Sequence, residues 1–314
     1  MTSALSRIPW QAMWISLAVI WGSSFLLMKL GLDALHPMQI SALRVGIAAI
    51  TLLVLVAATR TRLPNDRRTW GLLSICSFFL TALPFTCFVV AETRISSAAA
   101  GLGNAISPVA TVLFALLLLP SDRLTPRKLA AVLLGLAGVV LIAQPWSADG
   151  GPDLLGFGIA VLGGVSYGIG WTVNRRLLAG TEVPGLAHPT ALMITGFPMT
   201  LVALLGTCLV EGWSPVAVHG DPGALWVSLL AVVVLGAIGT GVAYILQFEV
   251  VRAVGPTVGA TVTYLIPVVA VTLGVLVLGE SLGMWQVIGA AVVIGAGVLV
   301  GQRPKARAGV AAPA

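Results

Sequence analysis

The chain has 314 residues, of which 58% are hydrophobic and only 9% are charged, and its mean hydropathy is +1.03. Soluble domains carry about 25% charged residues, so this composition excludes an ordinary water-soluble domain and indicates a membrane protein. The net charge of +6 would by itself fit a nucleic-acid binder. The distribution of the basic residues, described below, argues against that reading, and we expect no nucleic-acid partner.

Ten apolar stretches follow one another along the chain, each of a length that can cross a hydrocarbon core of roughly 30 Å as a helix. They are continuously apolar rather than alternating, which favours helices over a β-barrel. The short segments between them leave no room for a soluble catalytic domain. The stretches lie near residues 12–32, 38–59, 71–91, 97–119, 127–145, 154–174, 188–210, 224–248, 257–279 and 284–302.

The second half of the chain repeats the first. An odd number of helices in each half places the two copies in opposite orientations. We therefore predict an all-α polytopic membrane protein with ten transmembrane helices in two inverted five-helix repeats, residues 12–143 and 154–301, and a cytoplasmic tail, residues 302–314. Inverted repeats are typical of alternating-access transporters, whose substrate site lies where the repeats meet. The matching positions are Trp21-Gly22 with Tyr167-Gly168, His36-Pro37 with His188-Pro189, and Thr81, Ala98 and Pro108 with Thr240, Thr257 and Pro267.

The basic residues lie almost entirely on one predicted side of the membrane. With the N-terminus inside, 14 of the 17 Lys and Arg residues fall in inner segments, Arg94 falls in an outer loop, and Lys29 and Arg44 fall inside helices. Cytoplasmic loops are enriched in Lys and Arg, so this bias predicts that both termini are cytoplasmic.

Several short motifs at matching places carry a family resemblance. They are Trp21-Gly22-Ser23-Ser24-Phe25, Arg44, Ser121-Asp122-Arg123-Leu124 before the fifth helix, and Gly279-Glu280-Ser281-Leu282 before the tenth. The chain is similar to the EamA-like ten-helix family of the drug/metabolite transporter superfamily, although Asp122 stands where Glu is more usual. The resemblance implies a multi-pass carrier of the cytoplasmic membrane, often an exporter of amino acids or related metabolites.

Two basic residues lie within predicted spans, where charges are costly and commonly functional. Arg44 lies about 9 Å inside its helix, at 1.5 Å per residue, and could bind a substrate carboxylate with two parallel donors. The alternative is a structural role, with backbone carbonyls or Asp33 as partner. Lys29 lies near the outer end of the first helix, where its long side chain favours anchoring at the headgroups.

Polar and aromatic residues inside the spans complete the candidate site. Small-molecule sites are mostly apolar and aromatic, with a few polar groups that orient the ligand. Proline frees a carbonyl one turn back. Pro108 follows Asn104 by four residues, and Pro267 follows Tyr264 by three. The alternative for each candidate is simple helix packing or an interfacial position. The candidate substrate-binding residues are Trp21, Arg44, Asn104, Tyr167, Trp171, Tyr244, Gln247 and Tyr264.

The acidic residues all fall in loops or within a turn of a predicted helix end. No carboxylate is predicted in mid-membrane, so the sequence offers no obvious proton carrier, and Glu249 is the weak remaining candidate. We expect Asp122 and Glu280 only to shape the turns that hold them, and Thr125-Pro126 to begin a helix as N-cap and first residue. The sequence suggests no catalytic residue, metal site, cofactor or disulfide.

These patterns predict a secondary transporter for a small polar or amphipathic metabolite, embedded in the lipid bilayer. The alternative is an integral-membrane enzyme acting on lipid or isoprenoid substrates. Such an enzyme would need acids, histidines or a nucleophile with its base near one interface, and the sequence shows no such set. Stretches of small residues are compatible with a monomer or a homodimer.

Overall fold

A computed structural model describes residues 8–119, 125–145, 152–181, 183 and 185–301, and all regular structure in these residues is helical. Eight helices are long and apolar enough to cross a membrane, and two shorter apolar helices follow them. The turn with Asp122 and the predicted tail, residues 302–314, lie outside the described residues.

We number the spans α1 to α10. All ten predicted apolar stretches correspond to helices, whose ends differ from the prediction by a few residues. The uninterrupted spans are α1 (Trp10–Leu32), α2 (Pro37–Thr59), α5 (Pro126–Ala143), α6 (Leu154–Leu177), α7 (Ala187–Glu211) and α10 (Met284–Gly301). Four spans are interrupted: α3 (Arg67–Ser77, a π-helix Phe78–Ala82, Leu83–Ala91), α4 (Ser97–Asn104, Ser107–Leu118), α8 (Leu225–Gly236, a π-helix Ala237–Val242, Ala243–Gly259) and α9 (a 3-10 helix Ala260–Tyr264, Ile266–Leu278).

Several spans begin at polar residues that satisfy the free N–H groups of the first turn. His36 Nδ1 accepts a hydrogen bond from the Met38 backbone N–H at 3.2 Å, and Asp66 accepts one from Thr69 at 2.7 Å. The predicted N-cap at Thr125 is confirmed, since its hydroxyl accepts from the Lys128 N–H at 3.3 Å and Pro126 is the first helical residue.

Helices of the first half pack mainly on helices of the second. The helix α1 packs on α9, and the matching helix α6 packs on α4. The helix α2 packs on α7 and α8, and α7 packs also on α3. The helix α5 packs on α10. Two glycines allow equivalent close approaches: a Cβ on Gly22 would overlap Val269, and one on Gly168 would lie 2.6 Å from the Cβ of Ala110. Gly22 and Gly168 are matching residues of the repeat, and so are Val269 and Ala110.

The outer surface of the bundle carries many large apolar side chains, as expected of a surface that contacts lipid rather than water. Leu209, Val210, Leu276 and Trp226 are each more than three quarters exposed. The charged side chains concentrate at the helix ends and loops, which leaves an apolar band around the bundle.

Candidate substrate-binding cavity

A cavity of about 710 Å³ lies between the two halves. This volume is within the range of small-molecule sites. The structure brings all eight predicted site residues to its wall: Trp21, Arg44, Asn104, Tyr167, Trp171, Tyr244, Gln247 and Tyr264. Further lining residues that the sequence did not single out include Met28, Phe85, Phe88, Ser107, Thr111, Arg175 and Thr240.

Arg44 is the charged group at the centre of this wall. Its side chain is buried, its Nε donates to Thr240 Oγ1 at 3.2 Å, and its Nη1 lies 3.7 Å from the sulfur of Met28. The guanidinium stacks on Phe85, with Cζ 3.8 Å from the ring centroid. Asp33 is not its partner, and among the described residues no carboxylate lies within 4.0 Å of Arg44. Most of its five N–H donors therefore remain available to a ligand.

Two π-helical turns form equivalent parts of the two halves and were missed from the sequence. They contain Thr81 in α3 and Thr240 in α8, which are matching residues of the repeat. Such turns interrupt the regular helix and are frequent at functional sites. Thr240 donates to the Leu235 carbonyl at 3.2 Å, five residues back, while accepting from Arg44. The π-turn thus presents the hydroxyl to the guanidinium.

The helix α4 is broken beside the cavity. Pro108 cannot donate to the carbonyl of Asn104, one turn back. The Ser107 hydroxyl takes that role and lies 2.7 Å from the Asn104 carbonyl oxygen and 3.0 Å from its side-chain Oδ1. Asn104, Ser107 and Pro108 all line the cavity at this break.

Eight aromatic side chains line the cavity, and all three tyrosines of the chain are among them. Trp21 and Tyr244 meet edge to face with ring centroids 6.4 Å apart, and Phe88 lies 6.0 Å from Tyr167. The wall combines one buried cation with a large aromatic surface. It suits a ligand with an anionic group and an apolar body.

The cavity extends to one end of the bundle. We call the side on which α1 begins the inner side. Leu119 and Arg175, at the inner ends of α4 and α6, line the cavity. Toward the outer side, a buried core covers it, with Phe25, Met28 and Ile95 among its members.

Glu280 joins the two halves above this core. Its carboxylate accepts from the backbone N–H of Ser97 at 2.7 Å, from that of Ala98 at 2.9 Å, and from the Ser97 hydroxyl at 3.3 Å. A carboxylate at a helix N-terminus is stabilised by the free N–H groups and the helix dipole. The expectation that Glu280 only shapes its own turn is wrong, because the residue binds the start of α4 in the other half.

One further expectation for a charged residue needs correction. Lys29 does not extend to the headgroups, because its ammonium donates to the carbonyls of Glu92 at 2.7 Å and Ile95 at 3.3 Å. Glu249, the weak candidate for a proton carrier, forms an ion pair with Arg252 at 2.6 Å.

Glu92 differs from the other acids at the helix ends. Its side chain is fully buried, and both of its carboxyl oxygens lack a hydrogen-bond partner among the described residues. It lies directly after α3, at a helix end as predicted, and its side chain is nevertheless fully buried. Burial raises the pKa of Glu92 well above its ordinary value, while the nearby Lys29 lowers it in part.

Comparison with known proteins places the chain in a family. The EamA-like transporter family model matches residues 8–144 and again residues 154–302. The chain is 26% identical over 282 residues to the uncharacterized inner membrane transporter YedA of Escherichia coli K12, covering 88% of this chain and 86% of that protein. It is 29% identical over 279 residues to an S-adenosylmethionine/S-adenosylhomocysteine transporter of Chlamydia trachomatis serovar L2, covering 84% and 80%.

Two more comparisons agree. The chain is 24% identical over 309 residues to a probable terminal-alkyne amino-acid exporter of Streptantibioticus cattleyicolor, covering 96% of both proteins. A solved crystal structure superposes with a TM-score of 0.61 at 20% identity, covering 92% of this chain and 96% of the other, which supports the fold. The chain therefore belongs to the EamA-like transporter family and is a multi-pass transporter of the cell membrane.

Proposed function

We propose that this protein exports a small metabolite that carries a carboxylate and an aromatic or apolar body, of the amino-acid class, by alternating access between its two halves. Arg44 carries the proposal. It is a buried guanidinium on the wall of the central cavity without a carboxylate partner among the described residues.

A buried charge without a counter-charge is costly, by several kcal/mol per ion. A carboxylate ligand would offset this cost by forming two parallel charge-assisted hydrogen bonds with the guanidinium. The bond to Thr240 and the stack on Phe85 hold the guanidinium in one orientation at the wall. A guanidinium held this way has already lost much of its rotational freedom, so less entropy is lost when a ligand binds.

The aromatic wall supports the second part of the proposal. Apolar and aromatic walls bind the body of a ligand, while a few polar groups set its orientation. The names of two relatives give S-adenosylmethionine, S-adenosylhomocysteine and an amino acid as cargo. These molecules share a carboxylate next to an amino group. A cavity of about 710 Å³ has room for an aromatic amino acid.

Alternating access is supported by the pairing of matching helices across the halves and by a cavity that reaches the inner ends of α4 and α6. A substrate would enter from the inner side in the conformation described here. Rocking of the halves would then open the outer side. The relatives named above are transporters, so the alternative of a lipid-modifying enzyme gains no support from them.

Ligand-dependent stabilisation of the purified protein tests the substrate class. A ligand that binds only the folded state raises its stability by RT ln(1 + [L]/Kd), which is about 2.7 kcal/mol at one hundred times Kd. We expect L-phenylalanine and L-tryptophan to raise the Tm and phenethylamine, which lacks the carboxylate, to leave it unchanged. Equal stabilisation by phenylalanine and phenethylamine would contradict the assignment of a carboxylate ligand.

A further inference from the structure

An outer depression of about 370 Å³ lies apart from the central cavity, above the closed core. Its wall includes the buried Glu92 together with Lys29. This proximity places the one unpartnered buried acid described above beside the outer aqueous phase.

The contacts around Glu92 involve its backbone, and its carboxyl has no hydrogen-bond partner among the described residues. The Lys29 ammonium bonds to the Glu92 carbonyl and not to the carboxylate, at 2.7 Å. Glu280 lies at the same end of the bundle, yet its carboxylate receives three hydrogen bonds. Of these two outer acids, only Glu92 is buried without compensation among the described residues.

A buried carboxylate without a donor or a counter-ion is strongly disfavoured, and the group avoids the cost by keeping its proton. The charged groups that act on Glu92 come from three elements: Lys29 in α1, Arg44 in α2 and Glu280 after α9. The other titratable groups of the depression are Asp33, His36 and His219. In the conformation described here Lys29 is engaged with carbonyls, so the neutral carboxyl is the favoured form of Glu92.

We propose that Glu92 is a proton-binding site of the transport cycle, which holds a proton while the outer end is closed and releases it to the outer aqueous phase when that end opens. On opening, the O–H bond of the carboxyl breaks and its proton passes to water in the depression. The resulting carboxylate then pairs with the Lys29 ammonium, which leaves the two carbonyls. The inference rests on the proposed alternating-access function and adds a linkage between outer pH and outer opening.

The first test is spectroscopic and does not depend on a substrate. The C=O stretch of a protonated carboxyl, measured by infrared spectroscopy in a lipid nanodisc at neutral pH, should be present in the natural protein and lost in Glu92→Gln. Asp33→Asn is the matched control, because Asp33 lines the same depression but is exposed, and it should retain the band. A missing band in the natural protein, or a band that persists in Glu92→Gln, would overturn the proposal.

The second test measures the linkage to opening. Ala99 is buried in the core beneath the depression, so an impermeant thiol reagent added outside should label an Ala99→Cys variant only when the outer end opens. Below the pKa of Glu92, each unit of outer pH changes the ratio of deprotonated to protonated carboxyl about tenfold. Labelling of Ala99→Cys should therefore rise with outer pH. Thiol reactivity itself also rises with pH, and Thr93→Cys, which is exposed in the same depression, measures that contribution so that it can be subtracted.

Adding Glu92→Gln to Ala99→Cys should abolish the pH response and leave labelling at the level of the low-pH form. An unchanged response in this double variant would overturn the linkage. Transport of radiolabelled L-phenylalanine into proteoliposomes is measured in parallel. If both readouts behave as expected and phenylalanine is not transported, the proposed substrate class fails while the role of Glu92 stands.

Discussion

Arg44 in α2 donates to Thr240 Oγ1 in the π-turn of α8 at 3.2 Å, which joins the first half to the second at the cavity wall. The matching pair in the other half is Gly196 and Thr81. A Cβ on Gly196 would lie 2.9 Å from Thr81 Cγ2, so the two backbones approach closely there and no charge is present. The halves thus share a framework but contribute only one buried cation, Arg44, to the described cavity wall.

The close approach of α1 and α9 predicts that an added methyl group at Gly22 destabilises the protein, whereas one at the open position Gly206 does not. Gly22→Ala should destabilise the protein by about 1–3 kcal/mol, because the added methyl group overlaps Val269 and forces the helices apart. Gly206→Ala in α7 is the control: no atom lies within 4 Å of its added Cβ, and alanine favours the helix by about 1 kcal/mol. Thermal unfolding in detergent should give a lower Tm for the first and an equal or higher Tm for the second. Equal Tm values would contradict the described packing.

Membrane topology can be tested by cysteine labelling from outside intact cells. The described native cysteines Cys76, Cys87 and Cys208 are all buried, which gives a low background. An impermeant reagent should label Ser214→Cys and should not label Thr61→Cys. Both residues lie outside the helices, in the segments after α7 and α2. Labelling of Thr61→Cys would contradict the predicted orientation and with it the inverted arrangement of the halves.

The Glu280 contacts predict a shift toward the outward-open state when they are weakened. In Glu280→Gln the bonds from Ser97 and Ala98 lose their charge assistance, a loss of about 1 kcal/mol and about a fivefold change in an equilibrium. Outside labelling of Ala99→Cys should rise by about that factor. Asp33→Asn is the control, since Asp33 lies exposed at the outer end of α1. No difference between the two variants would mean that Glu280 does not hold the outer end closed.

The sequence predicted the ten helices and the residues of the cavity wall because lipid imposes a simple rule. Spans must be apolar and helical, so a polar residue such as Asn104 or Arg44 inside a span indicates an internal surface. The π-turns at Thr81 and Thr240 could not be predicted this way, because they depend on packing across the halves. The same reason explains the errors on Lys29 and Glu280, whose partners are distant in the chain.

The central claim is that Arg44 binds a substrate carboxylate. The most direct measurement is counterflow of radiolabelled L-phenylalanine in proteoliposomes loaded with unlabelled phenylalanine. The natural protein should accumulate label, and Arg44→Lys should lose most of this activity, because a lysine lacks the planar pair of donors. Thr240→Val, which removes the hydroxyl that orients the guanidinium, should cause a smaller loss. Equal insertion of all variants in the membrane is checked by their monodisperse yield. Normal counterflow by Arg44→Lys, or equal competition by phenethylamine and phenylalanine, would contradict the account.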